Sequence, residues 1–475
     1  MLFNSLDFAI FLPIVFGLYW FVTRSNLKLQ NTLLLVSSYV FYAWWDPRFL
    51  GLIVLSTLTD YIIGIRLKPA ISRSHRKRLL ALSLLVNLGM LGFFKYYNFF
   101  IESFQDAFSL FGQPLELRGL SIVLPVGISF YTFQTLSYTI DVYRERITPS
   151  KDLLAFATYV AFFPQLVAGP IERASHFLPQ VLRKRKFNYK WAVSGVSLII
   201  WGLFKKVVIA DNCAFFVNQI FGDPNSFSGL ELFLGAALFA FQIYGDFSGY
   251  SDIAIGVSRL LGFDLMTNFR FPYLSKNIAD FWRRWHISLS TWFRDYLYIP
   301  LGGSRLKTRG NVRNVLIVFL VSGFWHGANY TFIIWGTIHA LLFLPLLLRG
   351  KNRIHLREQS IKRIEVLKMI LTFILVTVAW IYFRSDNVPS ANQYLIEMIS
   401  GNWVDLSFFT GRFKYLLLFL IAIGSIVAML AHEIKAYKSA QREVRLSASF
   451  KLFYCLLIVF MGAFKNPLEF IYFQF

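Results

Sequence analysis

A chain of 475 residues that is 56% hydrophobic and 18% aromatic but only 16% charged is too apolar to be a soluble domain of that length. Its net charge of +22 would suit a nucleic-acid binder, but the Lys and Arg residues sit in short loops between apolar runs. There they serve as topology signals facing anionic lipid, and nucleic acid is excluded as a partner. Cys213 and Cys455 lie far apart with no CxxC or metal-ligand spacing, which argues against a disulfide framework, a zinc site or a redox motif.

Apolar runs near membrane length recur throughout, so the sequence predicts one integral membrane domain over residues 1–475. The expected fold is all-α, a polytopic helical bundle of about 10–12 spans with re-entrant and interfacial helices. The first run, 6–22, has no basic residue before it and Arg24 after it. That order suits a first span inserted with its N-terminus outside, not a cleaved signal peptide. Spans follow at 31–45 and 49–65, and the basic cluster RLKPAISRSHRKR after the third belongs in the cytoplasm.

A further span at 79–94 leads into KYYNFFIESFQDAFSLFG, which reads as an aromatic-rich amphipathic helix lying in the interface. From Leu120 the run LSIVLPVGISFYTFQTLSYTIDVYRER is interrupted by Pro125 and Gly127. Two readings stand for it, a broken helix lining a polar cavity and an ordinary kinked span. Another apolar segment at 153–168 stops at Gly169 and Pro170, and His176 beyond it reads as a solvated loop residue.

Spans at 191–204 and 230–243 come next. Lys205 and Lys206 sit where they would snorkel to the interface. Asp246 and Asp252 interrupt the membrane-compatible run YGDFSGYSDIAIG. Carboxylates at that depth face a cavity or a partner, or else they cap helices at an interfacial turn, and both readings stay open. C-terminal to position 350, His355 falls in a basic loop, spans are expected at 366–383, 415–432 and 450–464, and His432 reads as a solvated span end. The terminal FIYFQF reads as an interfacial belt or a plug.

The stretch 281–335 carries the chemistry. If 281–297 is one helix at about 100° per residue, Phe281, Trp282, Trp285, Leu289 and Trp292 share an arc opposite Arg283, Arg284, Ser288 and Arg294. That division suits a helix at the membrane surface, with His286 at the edge of its aromatic arc. His326 sits in a polar knot halfway along a second apolar run. On a continuous helix Ser322, Gly323, Asn329 and Tyr330 would share its face, and Gly323 and Gly327 have the small-xxx-small spacing that lets a helix or ligand approach. His339 lies on another face and is expected to be structural.

A histidine in a low-dielectric site stays neutral and is able to accept a proton from a hydroxyl. Asn329 or Tyr330 would fix its tautomer, and His286 would orient the acyl donor or hold charge on an oxyanion. Arg283, Arg284, Arg294 and Arg305 would attract anionic groups or anchor the chain at the membrane surface. No GxSxG elbow, HExxH, Walker A loop or strand-borne GxGxxG is present, so Ser hydrolases, zinc proteases, ATPases and Rossmann enzymes lack support.

The segments SSYVFYAWWDP, LPVGISFYTFQTLSYTIDVYR, FFPQLVAGPI, YGDFSGYSDIAIG, FWRRWHISLSTWFRDYLYIPLGG and GFWHGANYTFIIWG together resemble the membrane-bound O-acyltransferase family. They closely resemble the bacterial branch of alginate O-acetylation and are related to the proteins of teichoic acid D-alanylation. The resemblance covers nearly the whole chain with no departure from the branch's main motifs. Carried over by position, it implies His326 as principal catalytic residue and His286 as the second. Beside these, Trp325, Asn329, Tyr330, Asp246, Arg283, Arg284 and Arg294 are the candidates around substrate or donor, and no metal is expected.

It further implies a helical bundle around a funnel-shaped reaction chamber, with a catalytic core of about 120–345. The implied co-substrate is an acyl thioester, acetyl-CoA or an acyl carrier, on the cytoplasmic side, with no bound cofactor. The acceptor would be an extracytoplasmic polysaccharide or a periplasmic SGNH-type acetyltransferase acting as relay, and the location the bacterial inner membrane. A transporter or flippase of a lipid-linked sugar or acyl carrier, and an acyltransferase for lipid or protein acceptors, are the competing functions.

Overall fold

A computed structural model describes residues 1–112, 115, 117–167, 169–352, 362–462, 464 and 468–473. His355, Gln474 and Phe475 lie outside the described residues. All regular structure among the described residues is helical. Seven helices there are long and apolar enough to cross a membrane, and Leu6–Val22 and Ala448–Met461 are shorter apolar helices. About 20 residues are needed to span the hydrocarbon. Several expected spans fall short of that length, which is why the number of long helices is below the number of apolar runs. The chain forms two compact units, one of residues 7–192 and 257–266 and the other of 2–6, 193–256 and 267–475.

In the first unit, α1 (Leu6–Gly17), α2 (Leu27–Ala43), α3 (Leu50–Arg66), α4 (Arg73–Leu91) and α5 (Tyr97–Leu110) precede α6 (Ile128–Tyr143), α7 (Leu153–Ala161), α8 (Phe163–Leu166) and α9 (Ala174–Val181). α5 buries no residue, as an interfacial helix would. Gly127, at φ 75°, starts α6, so the Pro125–Gly127 interruption marks a helix beginning and not a mid-span kink. α6 packs against α3 and α4. At that contact the fully buried Asp60 accepts from Asn87 at 2.8 Å, from Thr139 at 2.9 Å and from Ser83. Polar groups among apolar helices must find partners inside the protein, and here neutral donors from two helices surround one carboxyl group.

His176, expected to be solvated, stands at the start of α9 with Nδ1 2.8 Å from Glu172 Oε2 and Nε2 3.8 Å from Asp264 Oδ2. Burial pushes the Glu172 carboxyl above its ordinary range, and the hydrogen bond to Glu172 raises the His176 imidazole.

The second unit holds most of α10 (Tyr189–Leu203), then α11 (Asp211–Gly222), most of α12 (Gly229–Leu260), α13 (Ile278–Arg284), α14 (Ile287–Phe293), α15 (Thr308–His326), α16 (Tyr330–Leu348) and α17 (Arg363–Arg384). α18 (Val388–Ser400), α19 (Ser407–Thr410), α20 (Phe413–Lys438) and α21 (Ala448–Met461) complete it. α10 runs through a wide π-type turn, Phe204–Ala210, into α11. A Cβ on Gly249 would lie 2.7 Å from the Gly202 carbonyl, so α12 and α10 meet backbone to backbone. α20 leaves Leu420 and Val427 exposed, an apolar face for lipid.

Lys205 and Lys206 do not snorkel, because both ammonium groups are buried and paired. Lys205 Nζ lies 2.7 Å from Asp252, while Lys206 Nζ lies 2.9 Å from Asp211 and 3.0 Å from Asp246. Opposite charges on α12 and the π-type turn satisfy one another more cheaply than either side chain reaches water.

Candidate active site

The expected surface helix over 281–297 is not continuous. α13 ends at Arg284, and His286, at φ 42°, stands in the left-handed region at the start of α14. Asn268 fixes this break, since its carbonyl accepts from the Ile287 amide at 2.9 Å and its Oδ1 from the Ser288 hydroxyl at 2.6 Å. The break also overturns the surface position. Phe281, Trp285, His286 and Ser288 are all buried, Ser288 on what a straight helix would make its wet face. A left-handed residue other than glycine costs about 1–3 kcal/mol and persists where surrounding contacts dictate it, commonly at functional sites.

α15 ends on His326 itself, with Gly327 extended beyond it, so the helix does not continue through the polar knot. Asn329 and Tyr330 therefore leave the face of His326. Asn329 caps α16, accepting from Thr331 N at 3.0 Å and donating to the Asp386 carbonyl at 2.7 Å, and Tyr330 is exposed. Gly323 faces protein. A Cβ there would lie 2.3 Å from the Phe332 carbonyl, and one on Gly336 2.4 Å from the Phe319 carbonyl, so α15 and α16 touch through their backbones. That contact sets where the end of α15, and with it His326, stands.

The two histidines meet. The His286 and His326 ring centroids are 6.3 Å apart and both imidazoles are buried. Trp325 lies against both, at 5.9 Å and 5.0 Å. Phe247 of α12 packs edge-on to His286 at 4.7 Å. Trp335 of α16 and Phe383 of α17 stand at 5.0 Å and 5.4 Å from His326. Behind them Trp380 contacts Trp335, Phe383 and Trp285 at 5.6, 5.1 and 5.0 Å. His339 is apart from this pair. It accepts from the Trp282 indole at 3.3 Å and stacks over Phe281, as a packing residue does.

A cavity of about 220 Å³ opens beside the site. Its floor is apolar and buried, with Leu289, Val315 and Phe319 among its walls, and Arg294, Ser304 and Tyr298 bring polar atoms to it. It reaches Ser322, one helical turn before His326. Of the candidate arginines only Arg294 lines this cavity, while it also pairs with Asp295 at 2.8 Å. Arg284 is held by Asp280 at 2.9 Å and lies over the Tyr437 ring, and Arg283 donates to the Asn352 carbonyl. Arg305 is exposed.

Asp246 is committed to Lys206 and to the Ile471 amide, which it accepts at 2.7 Å. One residue on from Asp246, Phe247 carries that anchored stretch of α12 to His286. Phe247, Trp335, Trp380 and Phe383 carry no local sequence signal that marks them as site residues. Trp335 was within a quoted motif, but only a helix break at Gly327 turns it back onto His326, and Phe383 arrives from a helix 57 positions later, beyond any local periodicity.

The description "MBOAT, membrane-bound O-acyltransferase family" matches residues 144–385, which include both histidines. "Probable alginate O-acetylase AlgI" of Pseudomonas aeruginosa is 43% identical over 407 residues, covering 85% of this chain and 76% of that protein. The "Peptidoglycan O-acetyltransferase" of Helicobacter pylori is 36% identical over 436 residues, covering 86% and 81%. The "Teichoic acid D-alanyltransferase" of Bacillus subtilis is 32% identical over 228 residues, covering 46% and 57%.

Proposed function

This chain belongs to the membrane-bound O-acyltransferase family, and from that premise we propose that it moves an acetyl group from a cytoplasmic thioester to hydroxyls on the far side of the bacterial inner membrane, with His326 as base. The observation that carries the proposal is the meeting of His286 and His326 in one buried, aromatic-walled site next to a cavity.

His326 takes the proton of the acceptor hydroxyl as its oxygen attacks the thioester carbonyl carbon. The oxygen–carbon bond forms, the carbon–sulfur bond breaks, and the thiolate leaves and recovers the proton, giving an ester and a free thiol. His286 steadies the charge that gathers on the carbonyl oxygen. Arg294 and the neighbouring basic loop attract the phosphates of a donor such as acetyl-CoA or an acyl carrier. The names of the relatives from Pseudomonas aeruginosa and Helicobacter pylori support an envelope polysaccharide as the final acceptor, reached directly or through a periplasmic SGNH-type relay.

The test is His326→Ala with the amount of inserted protein matched. Loss of envelope polysaccharide O-acetylation by about 10²–10⁴-fold is expected from removal of a general base. Normal acetylation would overturn the proposal, as would an intact thioester after incubation of the purified protein with labelled acetyl-CoA and acceptor, the result a transporter would give.

A further inference from the structure

The surroundings of His326 bear on which acyl group the site takes. Trp325 at 5.0 Å and Trp335 at 5.0 Å are both edge-to-face with the imidazole, and Phe383 at 5.4 Å closes a third side. Aromatic rings with centroids this close are in van der Waals contact. Trp335 and Phe383 have no room to retreat. Trp335 and Phe383 are 0% and 1% exposed, they face each other at 5.2 Å, and Trp380, itself 0% exposed, backs both. On the other side of Phe383 stands Phe332 at 4.9 Å, and the chain at Gly327 is pressed so closely to the Phe332 ring that a Cβ would overlap it.

The cavity next door has a different character. It is lined by Trp282, Phe293, Val318, Phe343 and others, extends as far as Ser322, and includes none of Trp325, Trp335 or Phe383. A donor therefore has room for its bulk on the Ser322 side and a tightly walled end at His326. Interiors packed to this density do not absorb extra methylenes without displacing side chains.

Resting on the acyl-transfer reading above, we infer that Trp335 and Phe383 are specificity-determining residues that limit the transferred group to a short acyl, two carbons in preference to four or more. Trp335 bounds the site from α16 and Phe383 from α17, and both pack edge-on against the imidazole of the base. The gauge is a property of the wall, separate from the proton transfer at His326.

The experiment uses membrane vesicles from cells producing the full-length protein, supplied with envelope polysaccharide from the same cells. They are given acetyl-CoA or butyryl-CoA labelled in the acyl group, and label in envelope material is counted. The wild type is expected to favour acetyl by at least about 10–200-fold, the range that a single methylene commands in a shaped pocket. Phe383→Ala is expected to narrow that ratio at least about tenfold by raising butyryl transfer, while Phe383→Leu stays near the wild type. Trp335→Phe reads the same wall from α16 and serves if Phe383→Ala does not insert. An unchanged ratio in the inserted variants, or a wild type indifferent to chain length, overturns the gauge alone. A wild type inert with both thioesters, or His326→Ala as active as wild type, overturns the acyl-transfer reading and the gauge with it.

Discussion

Two polar sites lie among the apolar helices of the second unit, and they are built in opposite ways. Around Lys205 and Lys206 each ammonium has a carboxylate within 3.0 Å, and the Ser248 hydroxyl oxygen accepts from Lys205 at 2.8 Å. Around His286 and His326 the neighbours are aromatic rings. A buried charge needs compensation before anything else, so the lysine site is consumed by its own pairing. An imidazole is neutral without a counter-charge, so aromatic rings can wall it where a lysine needs a carboxylate. Cost at membrane depth thus marks both sites, but only the second keeps a group for chemistry.

Breaking the charged site should have the largest effect on stability. Lys206→Met leaves Asp211 and Asp246 without their shared cation, and removing one partner from a buried ion network costs about 3–5 kcal/mol. A thermal melt of the detergent-solubilised protein should drop accordingly, and the triple replacement Lys206→Met, Asp211→Asn, Asp246→Asn should recover part of the loss. No change in the melt would show that the pairing contributes nothing.

The aromatic site should respond instead in geometry. Gly336→Ala puts a methyl against the Phe319 carbonyl, forcing α15 and α16 apart at a cost of about 1–3 kcal/mol. Because α15 carries His326 at its end, acyl transfer should fall further than protein level does. Equal falls in both would mean that helix spacing does not position the histidine.

The smallest effect is expected in the first unit. His176 and Glu172 both hold their protons more tightly folded than unfolded, His176 through its hydrogen bond and Glu172 through burial. The contribution of His176 is fully present below its unfolded value near 6.5 and is lost as pH rises through the raised folded value. Glu172 likewise loses stability as pH rises above its unfolded range. Since the His176 side chain is 39% exposed, screening keeps its share small, about 1 °C in melting temperature between pH 6 and 8. His176→Gln should flatten that slope, and a slope of opposite sign would refute the pairing.

Composition and apolar periodicity made the helical membrane class legible, and the family motifs singled out His286 and His326. What escaped them was set by long-range contacts. Asn268 breaks the helix at His286, and the close backbone packing of α15 on α16 follows an abrupt helix end at His326, so two faces drawn on continuous helices were misdrawn. Lys205 and Lys206 looked able to reach the interface because Asp252 and Asp246, which hold them in place, lie 47 and 40 positions away on α12, while the nearby Asp211 meets Lys206 only once that fold has formed.

The claim at the centre is that the two histidines serve one site, and a double-mutant cycle on acyl transfer tests it most directly. His286→Ala, His326→Ala and the double variant are compared at matched protein levels. Groups acting on one reaction centre are non-additive, so the double variant should be no slower than the slower single one. Losses that multiply, the double falling by the product of the two single effects, would contradict a shared site.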